Sequence, residues 1–358
     1  MNGRRGFTLV EILVVMSLLG VLMGLSIGLI ANAQTGNKLL VATNALGGQI
    51  AAARAQSFGS NTAYVLVRTT PEGKTTFRSY RDTQVLAWPA EDFVKASESV
   101  IRRGGAVETS TDTDLEGRYA VFQPGGTVDL GDPPWLDFLD GFTIQCRLRA
   151  DARAGTLFKK GDVLSVNVTQ GSGGRLGLDA KIRLQKNDQG QGEGSCDLHT
   201  GWRDGDEVPE WGAPLLPGKW HDVRIAYDRN TFTIHVDGRL RAIRSDKHNR
   251  MVLSDQGLII GGGYAGGFDS LVISGIFESD ENRFDCPDVI RRVGTNAKVA
   301  AGDLLLHFRN RSLDPQYHSA PVHVYLEMEQ GAGKPGIGRV VVVSLSGESF
   351  VRRPEEVR

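Results

Sequence analysis

The chain is poor in the residues that usually carry chemistry. It has three cysteines, Cys146, Cys196 and Cys286, so at most one disulfide forms and one thiol is left over, which excludes a disulfide framework. No Cys-x-x-Cys pair and no His–Cys cluster marks a zinc site, and nothing in the sequence calls for a metal or a cofactor. Charge of one sign is also lacking: 41 Lys and Arg stand against 42 Asp and Glu, a net charge of −1, without the basic surplus of a nucleic-acid-binding surface. There is no proline between Phe7 and Pro71, so nothing covalent interrupts a long helix there. From Phe7 to Ala33 charge is absent altogether, with the single exception of Glu11.

That exception is the most informative feature of the chain. Phe7–Ala31 is an apolar block which as a helix spans about 37 Å, enough for the core of a bilayer. A membrane span needs no ionisable group, and a carboxylate in hydrocarbon costs about 3 kcal/mol on insertion scales. Glu11 therefore calls for a partner. A secretory signal peptide with Arg4 and Arg5 as its basic region, cut near Ala31-Asn32-Ala33, is one alternative, but the block exceeds the usual apolar core of about 7–15 residues. Positive charge before the block and none from Asn32 to Asn37 places the amino terminus in the cytoplasm and the bulk of the chain outside. Gly20, Gly24 and Gly28 recur every fourth residue on one helical face, either as a close-approach surface for another helix or as glycines merely tolerated in the span.

Arg4-Arg5-Gly6-Phe7-Thr8-Leu9-Val10-Glu11 resembles the class III leader shared by type IV pilins and type II secretion pseudopilins. The resemblance implies that prepilin peptidase cuts between Gly6 and Phe7 and that the new amino terminus on Phe7 is methylated. It implies further that Glu11 neutralises such an amine, on an adjacent subunit or on its own chain, as the helix passes from membrane to filament. That pairing is physically reasonable, because an unpaired buried charge is far costlier than a paired one. The lack of proline in the second half of the segment weighs mildly against a major pilin.

Beyond the anchor, Leu39, Ala42, Leu46, Ile50, Ala53 and Ser57 recur at spacings of three or four, which predicts that the helix continues until Gly59-Ser60-Asn61. Strands are expected at Ala63–Arg68 and Thr75–Arg81 around the turn Pro71-Glu72-Gly73. The Ala- and Arg-rich helix end running into Tyr64-Val65-Leu66-Val67 resembles H-type minor pseudopilins and FimT-like minor pilins.

From about Thr109 to Ile276 short strands alternate with Gly and Asp turns. Phe142, Ile144, Cys146 and Leu148 alternate with polar residues, as do Val223, Ile225 and Tyr227, and then Phe232, Ile234 and Val236 after a turn at Asp228-Arg229-Asn230. Dense strands without helices predict an antiparallel sandwich. The apolar setting of Cys146 favours a buried free thiol over a Cys146–Cys196 bridge. Leu216-Pro217-Gly218-Lys219-Trp220-His221-Asp222-Val223, followed by Phe232 to Asp237-Gly238, resembles laminin-G-like and concanavalin-like jelly rolls, with Gly141-Phe142-Thr143-Ile144 and Ile259 to Ile273 fitting the same pattern. This fold hosts many functions, so the likeness concerns architecture alone.

Catalysis is not expected. Glycoside hydrolysis needs two carboxylates facing one cleft, and the region has no Glu-x-Asp-x-Glu spacing. His221 and His235 lie on strands without a nucleophile motif, and Asp228, Asp237 and Asp269 sit where Asp forms turns. Trp202 and Trp211, in an acidic segment over 200–215, are candidate ligand-binding residues for a protein or glycan, or else plugs for the sandwich edge. Strands resume at Leu304–Arg309, Val322–Met328, 338–344 and Glu348–Arg352.

The expected fold is an α+β pilin fold, a long transmembrane helix with an antiparallel sheet, carrying an inserted jelly-roll sandwich. Its parts are a leader over 1–6, a transmembrane assembly helix over 7–31, helix continuation and first strands over 32–108, the sandwich over 109–279, and returning head strands over 280–358. A linear array of the same parts is the alternative order. The expected role is a minor pilin- or pseudopilin-like subunit of the inner membrane whose partners are other pilins and prepilin peptidase. Its sandwich recognises a protein or caps the filament, the alternative being an adhesin whose sandwich binds glycan. No nucleic-acid partner is expected.

Overall fold

The computed structural model describes residues 9–357 apart from 59–61, 70–73, 91–101, 106, 116, 152–153, 172–175, 186–193, 201–214, 230, 246–249, 280–282, 288–289, 296–297, 300–301, 316–317 and 329–336. Apart from one long helix, Leu9–Gln56, and short 3-10 turns, it is a β protein. The chain divides into two compact units, Met1–Ser79 with Ser279–Arg358, and Tyr80–Glu278. The second is continuous in sequence and interrupts the first.

In the first unit the helix buries the stripe Leu39, Ala42, Leu46, Ile50 and Ala53, with Ser57 buried at its end. These residues pack against Ala63, Val65 and Val67 of strand Thr62–Thr69, Leu306 and Phe308 of strand Gly302–Arg309, and Val324, Leu326, Val341 and Val343 of strands Val322–Met328 and Ile337–Val343. Burying a Leu or Ile side chain stabilises by about 2 kcal/mol, so this stripe supplies most of the reason for the helix to persist after the apolar block. The helix terminus is closed by a distant turn: the Asn310 N–H donates to the Ser57 carbonyl at 2.8 Å and the Arg311 N–H to the Ser57 hydroxyl at 3.1 Å. Both Asn310 and Arg311 adopt positive φ to do so. Thr62–Thr69 and Gly302–Arg309 pair antiparallel over eight residues, while a five-stranded sheet runs in the order Lys298–Val299, Ile290–Thr295, Val322–Met328, Ile337–Val343, Ser349–Arg352.

The second unit is a jelly-roll-like sandwich of two antiparallel sheets. One runs in the order Arg239–Ser245, Thr231–Val236, Trp220–Tyr227, Phe142–Ala150, Gly266–Glu278, and then the part of strand Thr75–Trp88 from Tyr80 onward. The other runs Gly194–His199, Leu176–Leu184, Leu164–Gln170, Gly155–Lys160, Leu258–Gly261, Thr127–Asp129, Arg102–Gly104. Alternate residues from both sheets fill the core, as alternation in the sequence requires: Ile144, Cys146 and Leu148 face Val166, Val168, Leu178 and Ile182 in one cluster, joined by the rings of Trp88, Phe122, Phe158 and Phe268. All three cysteines are buried and free, and burial raises the Cys146 thiol well above its ordinary value and pushes that of Cys286 up to about 12.

The chain crosses between the units at adjacent places. Tyr80 and Glu278 are register partners where Thr75–Trp88 pairs with Gly266–Glu278, and the Ser279 N–H donates to the Ser79 carbonyl at 2.9 Å. The division therefore falls at Tyr80 and not at the expected 109. Residues 82–88 extend the strand expected to end at Arg81, and Leu86 and Trp88 belong to the sandwich core. The helix starts by Leu9, with Gly6 and Phe7 outside the described residues. Side chains at 9–12, 20, 22 and 24–35 are likewise outside them, and among the described residues no helix is long and apolar enough to cross a membrane.

One contact makes the first unit pH-sensitive. The His307 backbone N–H donates to His318 Nε2 at 3.0 Å, which requires that nitrogen to be unprotonated. Burial lowers the His318 pKa, opposed by the Asp314 carboxylate. A group with a depressed folded pKa contributes stability that is full above its unfolded value, about 6.5, and is lost as pH falls through the folded value. Stability in urea titrations is expected to drop between about pH 7 and pH 5, and His318→Gln to remove that component of the pH dependence.

Candidate functional site

Two regions of the chain have surfaces that its own fold does not consume. The first is the amino-terminal helix. Leu13, Val14, Val15, Met16, Leu18 and Leu19 are all exposed, and because successive residues turn by about 100° this run presents apolar side chains on every side. Ser17 bonds its own helix, donating from Oγ to the Val14 carbonyl at 2.8 Å. A helix that is apolar all round is stable only in hydrocarbon or among other helices. Glu11 lies on this helix two residues from its described start. Its side chain, like Gly6 and Phe7, is outside the described residues, so the site expected from sequence is located on the backbone only.

The second region is the surface of the sandwich, where charged residues must first be separated from those that serve the fold. His221 serves the fold. Its Nε2 accepts the Leu216 N–H at 2.9 Å, so the proton sits on Nδ1, which donates to Asp237 Oδ2 at 2.8 Å. The other Asp237 oxygen accepts the Asp222 N–H at 3.0 Å. Both imidazole nitrogens are occupied, and the strand ending at Val236 is tied to its neighbour at the turn Asp237-Gly238, where both residues have positive φ. Asp228 likewise accepts the Thr231 N–H at 2.8 Å, closing the preceding turn.

Trp220 is committed in a similar way. Its indole Nε1 donates to Asp112 Oδ2 at 2.9 Å, Arg149 pairs with the same carboxylate, and the Arg149 guanidinium lies 5.2 Å from the Tyr119 ring centroid and 5.3 Å from that of Trp220. This cluster clasps the hairpin of Val107–Thr111 and Arg118–Phe122 to the sheet, and the indole hydrogen bond is the main cause of the lowered Asp112 pKa. Arg250 grips Asp140 through Nε at 3.0 Å and Nη2 at 2.9 Å, with the buried Arg229 donating at 3.2 Å, and buried Lys160 pairs with Asp132 while donating to the Gln256 carbonyl at 2.9 Å. Among the described residues, Asp82 is the one carboxylate raised strongly, to about 6. Burial drives the shift, while the Arg224 charge and the Ser274 hydroxyl oppose it.

Among the described residues, one further polar surface is the outward face of the second sheet. Register places His199, Asp179, Asn167 and Thr156 in one row across four strands, and Asp197, Lys181, Ser165 and Lys159 in the next. His199 Nδ1 lies 2.8 Å from Asp179 Oδ1, with both side chains more than a third exposed. In the sequence, the strand Gly194–His199 is followed by the segment that bears Trp202 and Trp211. Thr200 donates its N–H to the Leu178 carbonyl at 3.0 Å and accepts the Leu178 N–H on its hydroxyl at 2.8 Å, and the Leu215 N–H returns to the Leu176 carbonyl at 3.3 Å. The tryptophans themselves lie outside the described residues. The row was readable as the polar half of alternation in Leu176–Leu184 and Gly194–His199, but its assembly depends on pairing that no local pattern reveals. Among the described residues no cluster of three or more His, Cys, Asp or Glu is placed to hold a metal ion.

Residues 1–27 match the model of the prokaryotic N-terminal methylation motif. The match covers the amino-terminal segment alone, the stretch that includes Gly6, Phe7 and Glu11. No curated protein matches the chain. Among solved structures, domain 4 of AbnA, a GH43 extracellular arabinanase from Geobacillus stearothermophilus in complex with arabinotriose, is similar at 14% identity and a TM-score of 0.39, over 55% of this chain and 94% of that one. The binding domain of Paraclostridial Mosquitocidal Protein 1 is similar at 10% identity and a TM-score of 0.37, over 72% and 76%, and the Emp47p carbohydrate recognition domain at 15% identity and 0.30, over 54% and 95%.

The assignment of His221 to the fold is open to test. In Asp237→Asn the single amide oxygen replaces two carboxylate acceptors, so either the His221 Nδ1–H or the Asp222 N–H loses its partner. Denaturant unfolding is expected to show a loss of about 1–3 kcal/mol.

Proposed function

We propose that the chain is a minor pilin- or pseudopilin-like structural subunit, cut by prepilin peptidase between Gly6 and Phe7 and assembled into a periplasmic filament. The motif match over 1–27 carries this reading. A helix whose exposed first part is apolar on all sides, and whose later part packs on antiparallel strands, supports it as a pilin-type head behind an inner-membrane anchor. In this account Glu11 pairs with the methylated amine of Phe7 on an adjacent subunit, and the sandwich is an inserted module for recognition or for capping the filament. The subunit binds and does not catalyse: the acid–base residues of the sandwich core and clasp are engaged in ties that hold strands and turns.

A second reading, an adhesin-like pilin whose sandwich binds glycan, draws on the exposed row of His199, Asp179, Asn167 and Thr156. Short polar side chains and aromatic ones are the chemistry that sugars require, and Trp202 and Trp211 follow His199 in the sequence. A glycan array with Trp202→Ala and Asp179→Ala as controls separates the two. Loss of a specific glycan signal in both variants supports the adhesin, and an array without signal supports the protein-directed module.

Mass spectrometry of the mature chain tests the processing. An N-methylated Phe7 terminus is expected, whereas a terminus at or after Asn32, or an uncut chain, contradicts it. Glu11→Ala is expected to leave membrane insertion intact while reducing incorporation into filaments by about tenfold or more, because the incoming amine loses its counter-charge.

A further inference from the structure

The strand Arg239–Ser245 differs from the other strands of the sandwich. It lies at one end of its sheet and, among the described residues, pairs only with Thr231–Val236. Among the described sandwich strands it alone has side chains recorded throughout with none of its residues buried. Leu240 and Ile243, opposite His235 and Thr233 in the register, are each 49% exposed. Between and beside them stand Arg239, Arg241 and Arg244, with no acidic residue on the strand. Among the described residues none of the three arginines is in an ion pair, and the one side-chain contact is a 3.4 Å bond from Arg244 Nη1 to the Asp197 carbonyl.

An open sheet edge presents a row of backbone N–H and C=O groups to any extended chain that can match it. Charge decides which chain that is. A second copy pairing through this strand would bring two sets of three arginines together, a net repulsion that disfavours self-association. An extended segment that carries both acidic and apolar residues meets the arginines and the pair Leu240 and Ile243 together.

We propose that Arg239–Ser245 is a strand-addition site for an extended acidic segment of a partner protein. The edge supplies the backbone pairing, the three arginines supply selectivity for acidic partners, and Leu240 and Ile243 supply the apolar contact. This goes beyond the filament role and holds or fails independently of processing at Gly6.

The test uses the full chain in detergent and a short, capped, fluorescein-labelled peptide alternating glutamate and valine, followed by fluorescence anisotropy. Saturable binding is expected, weakening roughly tenfold when salt rises from about 50 to about 300 mM. It is expected to weaken by about tenfold or more in the combined Arg239→Glu, Arg241→Glu, Arg244→Glu variant, with the thermal transition retained because these side chains are not buried. The Arg-to-Ala triple variant stands in if the charge reversal unfolds. The same peptide N-methylated at alternate residues keeps its charge and loses its pairing edge, and it is expected not to bind. Equal binding by the N-methylated peptide, equal binding to both arginine variants, or no binding of the acidic peptide to the native chain overturns the proposal.

Discussion

Everything in this chain is organised around one rung of a β-ladder. Tyr80 and Glu278 are partners in the pairing of two long strands, and the next residues outward, Ser79 and Ser279, are joined by a backbone hydrogen bond of 2.9 Å. The chain therefore leaves the first unit and returns to it at neighbouring positions. Closing a loop of n residues costs entropy that grows only as its logarithm, about 0.6 kcal/mol per doubling, so a large segment inserted at such a point burdens its host little once its ends are fixed by its own fold. Here the sandwich fixes them, because both crossing strands continue into its sheet with Leu86, Trp88, Leu271 and Ile273 in the core.

This arrangement separates two kinds of chemistry. The first unit joins a helix to antiparallel strands through small, aliphatic and aromatic side chains. The sandwich, in contrast, holds many of its charged groups in ties between strands and turns, as with His221 on Asp237, Arg149 and Trp220 on Asp112, and Arg250 on Asp140. Such groups are costly to bury without partners, which explains their pairing. Among the described residues, the surfaces left for interaction include a polar row on one sheet, an arginine-bearing edge on the other, and the apolar amino-terminal helix.

Much of the local structure was legible in the sequence. The stripe from Leu39 to Ser57 is the buried face of the helix, and the alternation around Phe142, Val223 and Phe232 marks strands that face the core, because periodicity records which side chains leave water. The turn at Asp237-Gly238 was readable for the same reason that Asp and Gly accept positive φ. The beginning of the sandwich was not readable. Arg81-Asp82-Thr83-Gln84 is a polar run that reads as a strand ending, whereas it continues through an irregularity in pairing opposite Ile273 and Ser274. Nor could any spacing bring Asp112 to Trp220, or Asp179 to His199 and Asn167. These meetings are set by sheet order, and register is a property of the whole fold. The roles expected of Gly6, Phe7 and Glu11 rest on a linear motif and not on the fold.

The central claim is that the first unit is a self-sufficient host interrupted at one rung by a separable sandwich. Replacing residues 80–278 by an Asn-Gly turn, so that Ser79 and Ser279 become the flanks of a hairpin, and following urea unfolding by far-UV circular dichroism tests it most directly. A single cooperative transition, with helix signal retained in native buffer and Gln49 and Phe77 amides protected from exchange, is the result this account predicts. A chain that unfolds without a transition, or that keeps its helix signal but exchanges all strand amides at once, would contradict it.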